Sequence, residues 1–484
     1  MGTDVKPMYL DGQWLEAESR SDFEVVNPAT REVVARVANG AVPEMRRAVD
    51  AADAAFPGWA ARPAKERGKL LLRIQAGIEA RQDDIARLIV QENGKPFEEA
   101  RKEVGFALGY FGWFAEEARR MSGEWVPSPV PGKRFWVLRS PLGPVAAITP
   151  WNFPATMVTR KIAPALAAGC TVVLKPASAT PLSALALAEI CHEAGLPRGV
   201  FNVLTTKSSG AAASHFLDDP RIRKIGFTGS TEVGKWIMER AAKQLKRLGF
   251  ELGGNAPFIV FEDADLEAAV EGAVAIKYLR VGGQSCICAN RIYVQRSIAD
   301  RFVPAFTDAV KRLVVASGFE AGAQVGPLIN EETREKVHGL VEDAVRRGAR
   351  ALTGGHALTD GAFGRGFFYA PTVLTGVSDD MPVCQEEIFG PVAPVLTFET
   401  EDEVIRRAND TTFGLAAYFY SRDMARVVRV SERLEYGLVG VNDAAGYTHE
   451  IPFGGYKESG LGREGGHQGI EEYTETKSVA VSIG

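Results

Sequence analysis

Between residues 42 and 120 the apolar positions recur three and four apart, as in Leu70, Leu71, Ile74, Ile78 and Ile85. That spacing lines one face of a helix, so this Ala-rich stretch predicts a helical layer. Ahead of it, residues 23–27 and 32–37 predict two short strands around a turn at Pro28-Ala29-Thr30-Arg31. From Val145 the texture changes. Short β-branched runs alternate with helical segments of about a dozen residues, the rhythm of right-handed βαβ units. Strands are predicted at 145–149, 171–175, 199–203, 222–227 and 248–252. Each ends in a break, and all but the last lead into a helix. The expected fold class is therefore α/β, with a doubly wound parallel sheet. Ligands of such sheets sit beyond the carboxyl ends of the strands, so the loops at 150–154, 175–181, 227–234 and 251–255 should converge.

A second α/β pattern begins near Pro257, with helices expected at 266–279, 298–314 and 330–347 and strands at 291–295 and 392–398. Two further segments, 125–139 and 472–483, read as strands that pair with each other or with another subunit.

Composition narrows the function. With 484 residues, 46% hydrophobic and 24% charged, the chain can bury a large core, and at about 150 residues per domain it holds two or three domains. Lys plus Arg number 56 against 61 for Asp plus Glu, so no basic excess offers a footprint for nucleic acid. The longest charge-free stretch, 141–159, carries Pro141, Pro144, Pro150 and Pro154 and reads as a buried strand and turn, not a membrane span. The polar start, Met1 to Lys6, lacks an apolar signal core, which predicts a cytoplasmic protein. Five scattered cysteines, Cys170, Cys191, Cys286, Cys288 and Cys384, argue against a secreted disulfide scaffold. Six dispersed histidines, without His-Glu-x-x-His or Cys-x-x-Cys, predict no metal site.

Two motifs mislead. Gly460-Leu461-Gly462-Arg463-Glu464-Gly465 matches the dinucleotide fingerprint, but it follows a glycine-rich loop instead of a strand. Gly229-Ser230-Thr231-Glu232-Val233-Gly234-Lys235 would be a P-loop if Ser or Thr followed, but Trp236 follows. The second still places backbone N–H groups at a helix start, where phosphate binds well.

Candidate chemistry centres on Cys286, in Gly282-Gly283-Gln284-Ser285-Cys286-Ile287-Cys288, where glycines permit close approach of a ligand. With Thr149-Pro150-Trp151-Asn152-Phe153-Pro154, Lys175-Pro176-Ala177-Ser178, Phe227-Thr228-Gly229-Ser230-Thr231, Glu251-Leu252-Gly253-Gly254-Asn255, Glu386-Glu387-Ile388-Phe389-Gly390-Pro391 and Pro452-Phe453-Gly454-Gly455, the chain resembles the aldehyde dehydrogenase superfamily along nearly its whole length. Cys286-Ile287-Cys288-Ala289-Asn290-Arg291 and the 459–465 segment make it most similar to the succinate-semialdehyde dehydrogenase group.

The resemblance implies a Rossmann-type cofactor domain at 1–123 and 144–252, a catalytic domain at 253–448, and an oligomerisation arm at 124–143 and 467–484 of a homodimer or homotetramer. It implies Cys286 as nucleophile, Asn152 as oxyanion ligand and Glu251 as general base. NADP or NAD would contact Lys175 at the adenosine ribose, Ser230 near the pyrophosphate and Glu387 at the nicotinamide ribose, with Trp151 and Phe389 flanking. Thr149, Pro150, Gly210, Phe227, Thr228, Gly229, Val233, Leu252 and Gly253 would complete the crevice. Ser178 stands where NAD-preferring members often carry Glu, and a neutral residue removes repulsion of a 2′-phosphate, so NADP is the expected preference.

For the substrate, Arg160 and Arg280 stand at the places where two arginines bind a distal carboxylate. Val281 replaces the usual Asn, and Gly446-Tyr447-Thr448 replaces Ile-Ser-Ser, so Tyr447 and Thr448 would offer hydroxyls while Phe153 and Phe453 line an apolar tunnel. Succinate semialdehyde, a related ω-oxo acid, or a bulkier or aromatic aldehyde all stay open. Cys288 adds a redox candidate through a strained Cys286–Cys288 disulfide. Glu251 argues against a coenzyme-A-acylating relative, the motifs hold no histidine for a thiol hydrolase, and a binding protein that merely retains the fold would not need Cys286, Asn152 and Glu251 together.

Overall fold

The computed structural model describes residues 5–444 and 446–483; the polar start at residues 1–4 lies outside them. The chain opens with four short strands, β1 (Met8–Leu10), β2 (Gln13–Leu15), β3 (Asp22–Val26) and β4 (Val33–Ala38), then four helices, α1 (Val42–Ala60), α2 (Ala64–Ala80), α3 (Gln82–Asn93) and α4 (Phe97–Glu117). After β5 (Glu124–Val126) and β6 (Lys133–Pro141) come the alternating units: β7 (Val145–Ile148), α5 (Thr156–Ala168), β8 (Val172–Lys175), α6 (Leu182–Glu193), β9 (Phe201–Val203), α7 (Ser209–Asp218), β10 (Lys224–Thr228), α8 (Thr231–Ala241) and β11 (Arg247–Glu251). All five predicted strands of this region form within a few residues of their expected ends. They pair in parallel, in the order β11-β10-β7-β8-β9.

The chain leaves β7 in one direction through β8 and β9, then returns to its other side through β10 and β11. The switch point therefore lies at the carboxyl end of β7, where residues 149–154 begin. The edges were not foreseen. β1 pairs antiparallel with β9 and with β2, strands of three residues that carry too short an alternation to read.

The second sheet uses β12 (Ala256–Val260), α9 (Leu266–Tyr278), β13 (Ala289–Gln295), α10 (Arg296–Lys311), α11 (Glu331–Arg346), β14 (Arg350–Thr353), β15 (Thr372–Thr375), α12 (Pro382–Gln385), β16 (Val392–Phe398), α13 (Glu401–Asn409), β17 (Ala416–Tyr420), α14 (Met424–Arg433) and β18 (Leu438–Val441). Its order is β14-β15-β16-β13-β12-β17-β18. The three predicted helices and both predicted strands are present. The chain then returns to the first sheet, where β19 (Gly460–Leu461) pairs antiparallel with β11. The fingerprint-like glycines thus form an edge strand and a loop, with φ of 80° at Gly462 and 68° at Gly465. After α15 (Gln468–Glu471), β20 (Thr474–Ser482) runs antiparallel to β6 over nine residue pairs.

Helices cover both faces of each sheet, and every residue of α5 is buried. That helix starts just beyond the switch point, so it carries the side chains after Pro154 straight into the interior. No helix among the described residues is long and apolar enough to cross a membrane.

Candidate active site

The loop between α9 and β13 is held in an unusual backbone path. Val281, Gly282 and Gly283 have φ of 49°, 59° and 82°. A Cβ on Gly283 would lie 2.3 Å from the Gly390 carbonyl oxygen, so only glycine fits there. Buried Gln284 fixes the loop: its Nε2 donates to the Val281 and Pro327 carbonyls (2.8 and 3.2 Å), and its Oε1 accepts from the Ile329 N–H (2.9 Å). Cys286 follows on a turn, against Gly254, where a Cβ would meet the Cys286 carbonyl oxygen at 2.0 Å.

The Cys286 thiol donates to Glu251 Oε1 at 3.0 Å. Glu251 ends β11, so the strand aims its carboxylate at the loop. Burial pushes the thiol up to about 12; Arg160 and Arg280 pull the other way, and Glu387 adds to the rise. The resting group is therefore the protonated thiol, and Glu251 is positioned to take its proton. Asn152 is buried beside them, its Nδ2 donating to the Gln284 carbonyl (3.0 Å) and its Oδ1 accepting from the Phe153 N–H (3.1 Å). The second amide proton is left for an oxyanion.

Behind Glu251 lies a buried charge network. Arg160 Nη2 donates to Glu251 Oε2, and Arg160 Nε faces Glu464 Oε2 at 2.6 Å. Lys161 Nζ bridges Glu464 (2.5 Å) and Thr228 Oγ1 (2.7 Å), and Thr228 donates to Glu251 Oε2 at 3.3 Å. Burial raises the Glu464 carboxyl, but Lys161 and Arg160 more than reverse this and hold it below the usual range. Sequence reasoning missed Glu464 and Lys161. Lys161 was detectable as a second cation in an otherwise apolar helix; Glu464 stood in the motif set aside as a false fingerprint.

Arg160, expected with Arg280 at the substrate carboxylate, bonds Glu251 and Glu464 here and packs over the Phe453 ring at 4.7 Å. The pocket itself, a cavity of about 250 Å3, is lined by Phe153, Arg280 and Tyr447, with Glu99, Lys102 and Phe106 from α4. Arg280 Nη2 donates to the Tyr447 hydroxyl at 3.2 Å. Phe453 lies beneath, its ring 5.2 Å from that of Tyr447. Thr448 does not join them: it is exposed, and its hydroxyl bonds Glu450.

On the other side of Cys286, the strand ends gather the expected cofactor residues. Thr149 and Pro150 follow β7, Lys175 ends β8, and Thr228, Gly229 and Ser230 follow β10 into α8, where Ser230 caps the Val233 N–H at 3.3 Å. Lys175 Nζ donates to Ser209 Oγ (2.5 Å), next to Gly210, and burial lowers its pKa to about 8. Ser178 is half-buried beyond it, and a Cβ on Gly210 would meet open space. Phe227 packs against Phe250, and Leu252 beneath Gly234, so both line the floor of the sheet end. Glu387 accepts from the Gly254 N–H (2.9 Å), beside Gly253, and burial raises its carboxyl to about 7. The Trp151 and Phe389 rings meet edge-on at 5.5 Å. Lys175 at one strand end, the N-terminus of α8 at another and the Glu387 carboxylate near the thiol have the chemistry to hold a dinucleotide.

Cys288 is a free, buried thiol directed at the Lys277 carbonyl (3.7 Å). Cys286 and Cys288 thus face different partners.

The pattern of the aldehyde dehydrogenase family matches residues 14–479. The chain is 50% identical over 475 residues to the glutarate-semialdehyde dehydrogenase of Pseudomonas putida, covering 98% of this chain and 97% of that one. It is 49% identical over 474 residues to the succinate-semialdehyde dehydrogenase (NADP+) of Escherichia coli, covering 98% and 97%. The crystal structure of succinate-semialdehyde dehydrogenase from Burkholderia pseudomallei superposes with a TM-score of 0.96 at 48% identity, over 99% of this chain and 98% of that one. The chain belongs to the aldehyde dehydrogenase family, whose fold and oxidoreductase activity it shares.

Proposed function

We propose that this enzyme oxidises a short ω-oxo acid, of the succinate- or glutarate-semialdehyde type, to the dicarboxylate with NAD(P)+, and that NADP is preferred. The observation that carries the reading is the 3.0 Å hydrogen bond from the Cys286 thiol to Glu251 beside the Asn152 amide. As the sulfur adds to the aldehyde carbon, the thiol proton passes to Glu251, and the alkoxide of the thiohemiacetal is held by Asn152 and the Cys286 N–H. The bound nicotinamide supplies the hydride acceptor, so the carbon attached to sulfur becomes a thioester. Glu251 gives up that proton to solvent and, again a carboxylate, takes one from the water that attacks the thioester; collapse of the adduct releases the acid, and the departing thiolate regains its proton from Glu251.

Arg160 acts here as a positioning residue that holds Glu251 toward Cys286, and Arg280 with Tyr447 receives the distal acid. Ser178 and Lys175 support NADP, since no carboxylate stands at Ser178 to repel a 2′-phosphate. The dehydrogenase names of the relatives at about half identity support the ω-oxo acid. The rings of Phe106, Phe153 and Tyr447 favour a second reading, a bulkier or aromatic aldehyde.

We further propose the division into a cofactor domain at 1–123 and 144–252, a catalytic domain at 253–448 and an arm at 124–143 and 467–484. A cytoplasmic homodimer or homotetramer completes the reading, supported by five free cysteines and an arm with exposed apolar residues.

The test is absorbance at 340 nm with four- and five-carbon ω-oxo acids, pentanal and benzaldehyde, each with NADP and NAD. Cys286→Ala should abolish turnover. Glu251→Gln should lower steady-state turnover by about 10²–10⁴-fold. Higher kcat/KM for benzaldehyde than for the acids, or for NAD than for NADP, overturns the corresponding half of the proposal.

A further inference from the structure

The loop that carries Asn152 runs from β7 to α5, and the side chains that hold it come from an earlier part of the chain. Helix α3 closes on Gly94, at φ 86°, where a Cβ would lie 2.7 Å from Pro28 Cγ and from Pro327 Cγ. The turn into α4 is thereby pinned. It is braced from within as well, since Asn93 Oδ1 accepts from the Lys95 N–H at 3.3 Å. From this turn Asn93 Nδ2 donates to the Trp151 carbonyl (3.0 Å) and Lys95 Nζ to the Asn152 carbonyl (2.8 Å). Lys95 also pairs with Glu103 of α4, whose Oε1 accepts from the Ala155 and Thr156 N–H groups at 2.9 and 3.2 Å. One ion pair thus grips the backbone at Asn152 and again three and four residues further on.

The Lys95 ammonium has three protons. Two are given to Glu103 and Asn152, and the group faces the Phe153 ring 4.2 Å from its centroid. Neither member of the pair reaches solvent: the Lys95 side chain is 0% exposed and that of Glu103 1%. A buried ion pair is a poorer way to fill a core than apolar side chains of the same volume, so packing gives no reason for a lysine here. A methionine would occupy the same space, but it would withdraw the donor from the Asn152 carbonyl.

We propose that Lys95 is a positioning residue of the oxyanion site: it fixes the Asn152 peptide so that the side-chain amide meets the alkoxide of the thiohemiacetal. The inference rests on the reading of Asn152 as the oxyanion ligand. A misplacement of about 1 Å at such a donor costs on the order of a hundredfold in rate.

The experiment follows NADPH formation in the first turnover, with the aldehyde that wild type oxidises fastest, in Lys95→Met, Asn152→Ala and the variant carrying both. Asn152→Ala should slow it about 10²–10³-fold and Lys95→Met about ten- to hundredfold. Together they should cost no more than about threefold beyond Asn152→Ala alone, because the lysine acts through the asparagine. Alkylation of Cys286 by iodoacetamide, which forms no oxyanion, and NADP affinity by calorimetry should in Lys95→Met match wild type. Lys95→Met leaves Glu103 buried without its cation, so Lys95→Met/Glu103→Gln is the second variant. Its glutamine still offers an oxygen to the Ala155 and Thr156 N–H groups, and the slow first turnover should persist. Recovery of the wild-type rate in that variant, alkylation slowed as much as turnover, or losses from Lys95→Met and Asn152→Ala that multiply, each overturns the role of Lys95 while Asn152 keeps its own. A normal first turnover in Asn152→Ala overturns both.

Discussion

A thiol raised to about 12 is almost wholly protonated at neutral pH, so its reactivity depends on the carboxylate that accepts its proton. Arg160 is the only charged group given to that carboxylate by the interior of α5, and it simultaneously holds Glu464. In Arg160→Met, Glu251 loses a charge-assisted hydrogen bond, worth roughly 1.5–3 kcal/mol. The expected result is a fall in kcat of about tenfold or more for pentanal as well as for the acids. A change confined to KM for the acids would instead make Arg160 a substrate ligand. Lys175 gives a pH effect. Burial lowers it to about 8, so its ammonium is present below that pH and is lost above it. KM for NADP, whose 2′-phosphate needs the cation, should rise as pH passes about 8, while KM for NAD stays nearly level; parallel curves would remove Lys175 from the phosphate site.

The elements differ in how openly the sequence declares them. The five parallel strands were legible because each is a compact β-branched run with a clear break behind it, and the motifs holding Glu251, at the end of β11, and Cys286, in the loop before β13, were legible too. The three-residue edge strands were not, since two or three residues show no period. Glu464 was hidden for a different reason: its partner Lys161 lies 303 positions away, and no local pattern reports such a pairing. The turn before Cys286 shows a local conflict that is visible only with coordinates. Val281 sits at φ 49°, a region where a β-branched residue is a true outlier, whereas Asn tolerates it. Val281→Asn should relieve roughly 1 kcal/mol of strain and raise the midpoint of chemical denaturation, with the backbone N–H still donating to Glu99. An unchanged or lowered midpoint would mean that packing of the Val281 side chain outweighs the backbone cost.

At the scale of the whole molecule, the sheet β5-β6-β20 poses a problem of solvation. Its long pair spans nine residues, but most of β20 is exposed, as is the outer side of β6 at Leu138. Trp125, on the edge strand, is 61% exposed although it leans on the Trp136 ring at 5.8 Å. A small sheet with apolar side chains open to water is marginal alone, and a group of such residues on a soluble surface marks an interaction site. The termini of the sheet come from distant parts of the chain, so its order is bound to the completed fold rather than to local sequence. A second copy of this chain would cover the face and supply the burial that the isolated arm lacks. Trp125→Glu places a charge in that contact, at a position too exposed to disturb the monomer's core. Light scattering after size-exclusion chromatography should show wild type as a dimer or tetramer and the variant shifted to a smaller species, with an unaltered far-ultraviolet circular dichroism spectrum. A wild-type monomer, or a variant whose mass does not change, would require the arm to be stabilised in some other way.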